Sequence, residues 1–199
     1  MTYHRCVIER LTQLDQRLFL WINEKHNSFW DPIMYWASNQ WIWIPLYVLL
    51  GYWLYRRYHR FVIYFIVGIA LLITLSDQGS SHLKDWVQRP RPSHTAQLAD
   101  QVHLSAAGPG GEYGFVSSHA ANCFALCVFL GLLLPRRDRP VKWLLLLWAL
   151  FVCYSRVYNG VHYPGDVLGG MVLGSLLGWA MSRLFRLVVN IYLLQRERR

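Results

Sequence analysis

The sequence predicts an all-α fold, a polytopic bundle of membrane-spanning helices. Three observations carry it. Of 199 residues, 54% are hydrophobic and only 16% charged, whereas soluble domains carry about 25% charged residues. Ten Trp and twelve Tyr are the residues that gather at membrane–water interfaces. The apolar residues also fall into long runs, as a spanning helix of about 20 residues requires.

Five runs qualify as spans. The first covers 41–55, which 29–39 lengthens or precedes. The second covers 61–75, and its helical pattern continues to about Trp86, past the hydrocarbon at about 1.5 Å per residue. The third covers 120–134 and stops at Pro135; the fourth covers 141–154; the fifth covers 167–194, with Arg183 and Arg186 near its end. Ahead of them, Leu11, Leu14, Leu18 and Trp21 or Ile22 recur at helical spacing around Asp15, Gln16 and Arg17. That pattern predicts an amphipathic helix lying in the interface, with a sixth span as the alternative. The chain thus divides into an N-terminal interfacial segment, 1–28, and a membrane-embedded domain, 29–199. No signal-peptide core opens the sequence, so entry to the membrane falls to the helices themselves. The four Cys (Cys6, Cys123, Cys127, Cys153) show no CxxC spacing and read as buried thiols.

A net charge of +9 with twenty Lys and Arg is unusual for so apolar a chain. No basic stripe joins a soluble fold, which excludes a nucleic-acid partner. Arg56, Arg57 and Arg60 lie between spans one and two. Arg136, Arg137, Arg139 and Lys142 lie between spans three and four. Arg183, Arg186, Arg196, Arg198 and Arg199 end the chain. With five alternating spans these share one face, which the positive-inside rule makes cytoplasmic. Trp30, Trp36, Trp41 and Trp43 then mark the outer interface, and Trp53 and Trp143 the inner one. Gly170, Gly174, Gly178 and Ser182 form a small-residue stripe on the fifth span. Such a stripe serves close packing inside the bundle or homodimerisation.

The opposite face collects polar residues at helix ends. The second span leads into Lys84 and Arg89-Pro90-Arg91-Pro92; the third begins Ser117-Ser118-His119; the fourth ends Ser155-Arg156; the fifth follows His162-Tyr163-Pro164-Gly165-Asp166. Alternation brings all four clusters to one level. Lys84, Arg91 and Arg156 supply charge suited to phosphate oxygens. A helix N-terminus with two serine hydroxyls suits the same anion. Asp166, four residues after His162, is placed to hold one ring nitrogen and leave the other nucleophilic, and His119 to protonate a leaving alkoxide. Singly, each feature has a plain structural explanation: a snorkelling cation, an N-cap, a local hydrogen bond. Together they describe a phosphoryl-transfer site. No carboxylate cluster suits Mg²⁺, so the expected chemistry needs no metal and no other cofactor. Asp77, His82, Asp85 and Arg89 are close in sequence and remain without a role; Asp77 is an ionisable group well along a span.

Lys84-x6-Arg91-Pro92, Ser117-Ser118-His119 and Ser155-Arg156-x5-His162-x3-Asp166 resemble the tripartite signature of the type 2 phosphatidic acid phosphatase superfamily, over about residues 40 to 185. The resemblance implies a helical bundle and a phosphohistidine intermediate. It implies His162 as nucleophile, Asp166 as its orienting partner and His119 as proton donor. Lys84, Arg91, Ser117, Ser118 and Arg156 are then the phosphate ligands. Two positions depart from the usual Pro-Ser-Gly-His: Val116 replaces Pro and Ser118 replaces Gly, and neither touches a proton-transfer or nucleophilic group. The expected activity is hydrolysis of a lipid phosphate at the outer face of a bacterial inner membrane. Undecaprenyl diphosphate is the lead substrate. Phosphatidylglycerophosphate, phosphatidate and lipid A are rivals, and a catalytically silent lipid-phosphate binder or transporter is the non-enzymatic alternative.

Overall fold

The computed structural model describes residues 2–98 and 100–197, with side chains over 6–98 and 100–189. The side chains of Arg5, Arg196, Arg198 and Arg199 therefore lie outside the described residues. All regular structure among these residues is helical: α1 Thr2–Asn23, α2 Trp30–Ser38, α3 Ile44–Tyr58, α4 Val62–Val87, α5 Ser118–Leu133, α6 Arg139–Tyr158 and α7 Pro164–Glu197.

Each boundary has a local cause. Pro45 and Pro140 sit in the first turns of α3 and α6, where a missing N–H costs nothing. α4 runs for 26 residues and closes on Gln88 in a left-handed conformation, φ 51°. At about 1.5 Å per residue it is about 39 Å long, so Lys84 reaches the far interface as expected. Residues 29–39 form a helix of their own, because Asn39 leaves helical geometry and its side chain caps the following turn through the Trp41 N–H. Gln40–Val87, Arg136–Tyr158 and Pro164–Val189 are long and apolar enough to cross a bilayer; Ser118–Leu133 is apolar but shorter. α1 is not among them. Its Ile8, Leu11, Leu14, Leu18 and Trp21 are exposed, while Phe19 is fully buried against Tyr163.

The closest helix pairing is α5 against α7. A side chain at Gly170 or Gly174 would collide with the backbone oxygen of Ser117 or Ala121, and a Cβ at Gly178 would stand 2.5 Å from the Ala125 oxygen. The glycine stripe is therefore filled by α5 of the same chain. Of the two uses of the stripe, close packing inside the bundle is the one seen at Gly170, Gly174 and Gly178. Two apolar cores result. One packs Leu72, Leu126, Phe129, Leu130 and Trp148 through the middle of the bundle; the other joins Phe19 of α1 to Ala120, Val157 and Tyr163 near the site.

The cation-rich loops do share one end. Arg57, in the last turn of α3, pairs with Asp138, before α6, at 3.9 Å. Lys142 donates to the carbonyls of Gly131 and Leu134 at 2.6 and 2.7 Å, and Arg186 donates to the Leu132 carbonyl. Trp30, Trp36, Trp41 and Trp143 are exposed, as an aromatic belt requires, while Trp43 packs edge-on against Trp148. Cys123 and Cys153 are buried thiols, but Cys6, on α1, is exposed, and all four are free. The buried-thiol expectation fails at Cys6 because residues 6–14 of α1 are exposed.

Candidate active site

At the other end, four chain segments converge. Residues 88–117 connect α4 to α5, and their two ends pair with each other. The Arg91 N–H donates to the Glu112 carbonyl at 3.0 Å, and the Gly114 N–H to the Arg89 carbonyl at 2.8 Å. That pairing fixes Arg89 and Arg91 at the mouth of the bundle. The Ser117 N–H donates to the Asp166 carbonyl at 3.0 Å, which locks the head of α5 onto the first turn of α7.

His162 lies in the α6–α7 turn, 2% exposed, and Asp166 in the first turn of α7 is wholly buried. Asp166 Oδ2 is 3.5 Å from His162 Nδ1 and accepts the Tyr163 N–H at 3.0 Å. The carboxylate therefore stands on the Nδ1 side of the ring, and the imidazole also bonds the Gly114 backbone. Burial holds the His162 imidazole well below the ordinary histidine range, and Arg156, Arg91 and Lys84 push it further down. Its resting form is the neutral one, which is the nucleophilic one.

The three expected cations surround it. Arg156 is 9% exposed and its Nε has no partner, nor does the buried Ser117 hydroxyl. Buried polar groups are rarely left unpaired, so this pair marks a place for a hydrogen-bonding anion. Arg91 donates through Nε to the Tyr113 carbonyl at 3.1 Å and through NH1 to the Val161 carbonyl at 3.3 Å. Lys84 donates to the Ser118 hydroxyl at 2.5 Å, and the Ser80 hydroxyl donates to the same oxygen at 2.7 Å. His119 follows Ser118 in the first turn of α5 and bonds the Ser38 backbone. Every expected site residue, Lys84, Arg91, Ser117, Ser118, His119, Arg156, His162 and Asp166, thus falls in one cluster.

From this cluster a cavity of about 630 Å³ runs into the bundle between α3, α4, α5 and α6. Ser118 and His119 stand on its wall, and Tyr47, Leu54, Ile66, Ile69, Leu126 and Val152 line its apolar length. Asp77 also faces it, whereas His82 and Asp85 are exposed on α4 outside the cluster.

Two residues enter that the sequence left without a role. Arg89 donates through NH1 to Asp166 Oδ1 and through NH2 to Asp15 Oδ2, both at 2.7 Å. Asp15 had only the signature of a polar residue on an amphipathic helix, and nothing in its spacing pointed to a site 151 positions away. Elsewhere at this end, His26, Asp31 and His103 lie close enough to share a metal ion. The imidazoles of His26 and His103 stack face to face at 3.8 Å and 9°, so their nitrogen lone pairs run parallel instead of converging on one ion.

The family model described as the PAP2 superfamily matches residues 61–189. The chain is 39% identical over 176 residues to a lipid A 4'-phosphatase of Bacteroides thetaiotaomicron, covering 87% of this chain and 77% of that one. It is 32% identical to the undecaprenyl-diphosphatase BcrC of Bacillus subtilis, covering 84% of each. Among solved structures, the crystal structure of Aquifex aeolicus LpxE superposes with a TM-score of 0.67 at 26% identity, over 85% of this chain and 95% of that one.

Proposed function

The chain belongs to the PAP2 superfamily and is a membrane-embedded lipid phosphatase, and from that premise we propose that it removes a phosphate monoester from a lipid A-type glycolipid. One observation carries the reading: the head of α5 joins the two halves of such a site, since Ser118 and His119 line the apolar cavity while Ser117 is bonded to Asp166 beside the buried His162 and its cations. Acyl chains occupy that cavity and the surrounding bilayer while the headgroup phosphate sits among the cations. The resemblance to the Bacteroides lipid A 4'-phosphatase supports the glycolipid. Undecaprenyl diphosphate, the lead expected from the sequence, is the second reading, supported by the likeness to BcrC.

In the first step His162 Nε2 attacks phosphorus, forming the N–P bond as the bond from phosphorus to the lipid oxygen breaks. His119 gives its proton to the departing oxygen. Lys84, Arg91, Arg156, the Ser117 and Ser118 groups and the N-terminus of α5 stabilise the charge on the equatorial oxygens. Asp166 stabilises the positive charge that His162 acquires. In the second step water attacks phosphorus, His119 takes its proton, the N–P bond breaks with its electron pair returning to His162, and phosphate leaves. Apart from the attacking water, the groups in both steps are the chain's own side chains and backbone N–H groups.

We read α3 to α7 as five spans and α1 as an interfacial helix, and the positive-inside rule then favours a site on the extracytoplasmic face of a bacterial inner membrane. Phosphate release from detergent-solubilised lipid A, undecaprenyl diphosphate, phosphatidylglycerophosphate and phosphatidate, with EDTA present, tests the assignment. Lipid A is expected to lead by about tenfold or more in kcat/KM, about 1.4 kcal/mol in the barrier, and His162→Ala to lose at least about a thousandfold. Faster turnover of undecaprenyl diphosphate selects the second reading. An active His162→Ala enzyme sinks the covalent mechanism, and loss of activity in EDTA sinks the metal-free one.

A further inference from the structure

Resting on the phosphohistidine reading of His162 and Asp166, we propose that Arg89 and Asp15 are positioning residues, through which the N-terminal helix α1 sets the charge and orientation of the catalytic carboxylate. The Asp166 carboxylate has no exposure to solvent, and a lone buried charge is strongly unfavourable. Its Oδ2 accepts the Tyr163 N–H and lies 3.5 Å from His162 Nδ1; its Oδ1 takes one arm of the Arg89 fork at 2.7 Å.

Arg89 alone would create a difficulty. A guanidinium this close cancels the negative charge that a phosphorylated, positively charged His162 needs beside it. Asp15 removes the difficulty by accepting from the other arm of the fork at 2.7 Å. The chain Asp15–Arg89–Asp166 then keeps one net negative charge facing the imidazole. Charge-assisted forks of this kind also fix orientation.

The arrangement is built in on every side. Asp15 Oδ1 accepts the Gly165 N–H at 2.8 Å, one of the donors that the first turn of α7 leaves without a helical partner. A Cβ at Gly165 would stand 2.7 Å from Asp15 Oδ2 and 3.3 Å from Arg89 NH1, so α1 reaches this close only because position 165 has no side chain. The Arg89 guanidinium lies 4.4 Å from the centre of the Tyr163 ring. Arg91, two residues on, bonds only backbone carbonyls among its described partners, so the two arginines of this segment divide their work: one faces the phosphate, the other the carboxylate behind the nucleophile.

The test uses the full chain in detergent, with Asp15→Asn, Arg89→Gln and Arg89→Lys, assayed on the best lipid of the panel above for kcat, KM and the pH profile. Each variant is expected to lose about 10- to 100-fold in kcat, the range of a misplaced acid–base group, with KM changed less than about twofold. The charged groups facing His162 are Lys84 from α4, Arg91 from the loop, His119 from α5, Arg156 from α6 and Asp166 from α7, and none of them changes. Arg89→Gln removes a cation from behind Asp166, so the acidic limb of kcat/KM moves to higher pH. Asp15→Asn leaves that cation uncompensated, so the limb moves to lower pH. Arg89→Lys keeps the charge and loses the fork, so kcat falls while the limb stays. A merely structural pair would lower the melting temperature without moving the limb in opposite directions. An active wild type with an inactive His162→Ala, but with Asp15→Asn and Arg89→Gln both within twofold in kcat, overturns the positioning role. A wild type inactive on every lipid, or an active His162→Ala, defeats the underlying reading instead.

Discussion

Lys84 reaches from α4 to the Ser118 hydroxyl at the head of α5, and that contact explains a departure from the usual motif. Where most relatives are expected to carry Gly, the hydroxyl here holds the ammonium in place, while the backbone N–H remains for the phosphate. A single hydrogen bond of this kind contributes about 1 kcal/mol, or 1.5–3 when charged. Ser118→Gly, which keeps the ammonium and loses one charged contact, is therefore expected to lose about 10- to 100-fold in kcat/KM, whereas Lys84→Met loses about a thousandfold, the upper scale of a transition-state charge ligand. A Ser118→Gly enzyme as weak as Lys84→Met would make the hydroxyl itself the ligand. His162 gives a pH prediction. Burial and three cations favour its neutral form; below about pH 6.5 an ordinary histidine protonates, but this one stays neutral until the pH falls further. The acidic limb of kcat/KM is expected below that value, and a limb at or above it contradicts the environment described. The residues with fixed spacing, Lys84, Arg91, His119, His162 and Asp166, were legible in the sequence because each motif is local. Asp15 was not, since its role comes from a contact 150 residues long with Gly165, and periodicity reports only which face of a helix is polar.

At the scale of elements, hydropathy located α3 to α7 to within a few residues, because runs of apolar side chains leave a strong signal. It could not separate α2 from α3, since the break there rests on a single Asn39 side chain capping a turn. The glycine stripe on α7 admitted two uses, and close packing inside the bundle is the one seen. Because α5 approaches until the Ala121 backbone touches Gly174, Gly174→Leu is expected to separate the pair. The cost is about 1–3 kcal/mol, the scale of overpacking, seen as a lower melting temperature in detergent and as lost activity, since Ser117 and Asp166 are held together by the same interface. Leu176→Ala, on the exposed side of the same helix, is the control and should melt within a degree or two of wild type. Equal melting of the two variants would mean that the close approach carries little of the stability.

For the whole molecule, the cations divide between two ends. Arg57 and Asp138 join the end of α3 to the start of α6 at one end; Lys84, Arg89, Arg91 and Arg156 gather at the other. The orientation is checked with single cysteines in a chain whose four native Cys are replaced. Gln97→Cys, on the exposed loop beside the site, is expected to react with an impermeant thiol reagent in intact cells, and Arg60→Cys only after lysis. The reverse pattern would turn the site toward the cytoplasm. The contact between Asp15 and Gly165 also has a consequence in time. The two partners are 150 residues apart, and ribosomes add about 5–20 residues per second. The first helix therefore waits roughly 8–30 s for the partner it must meet, already in the membrane while the nucleophile has yet to be made. A chain interrupted between Arg156 and His162 carries all three proposed phosphate cations but not the proposed nucleophile. Synthesis order alone thus withholds the chemistry until the last helix arrives.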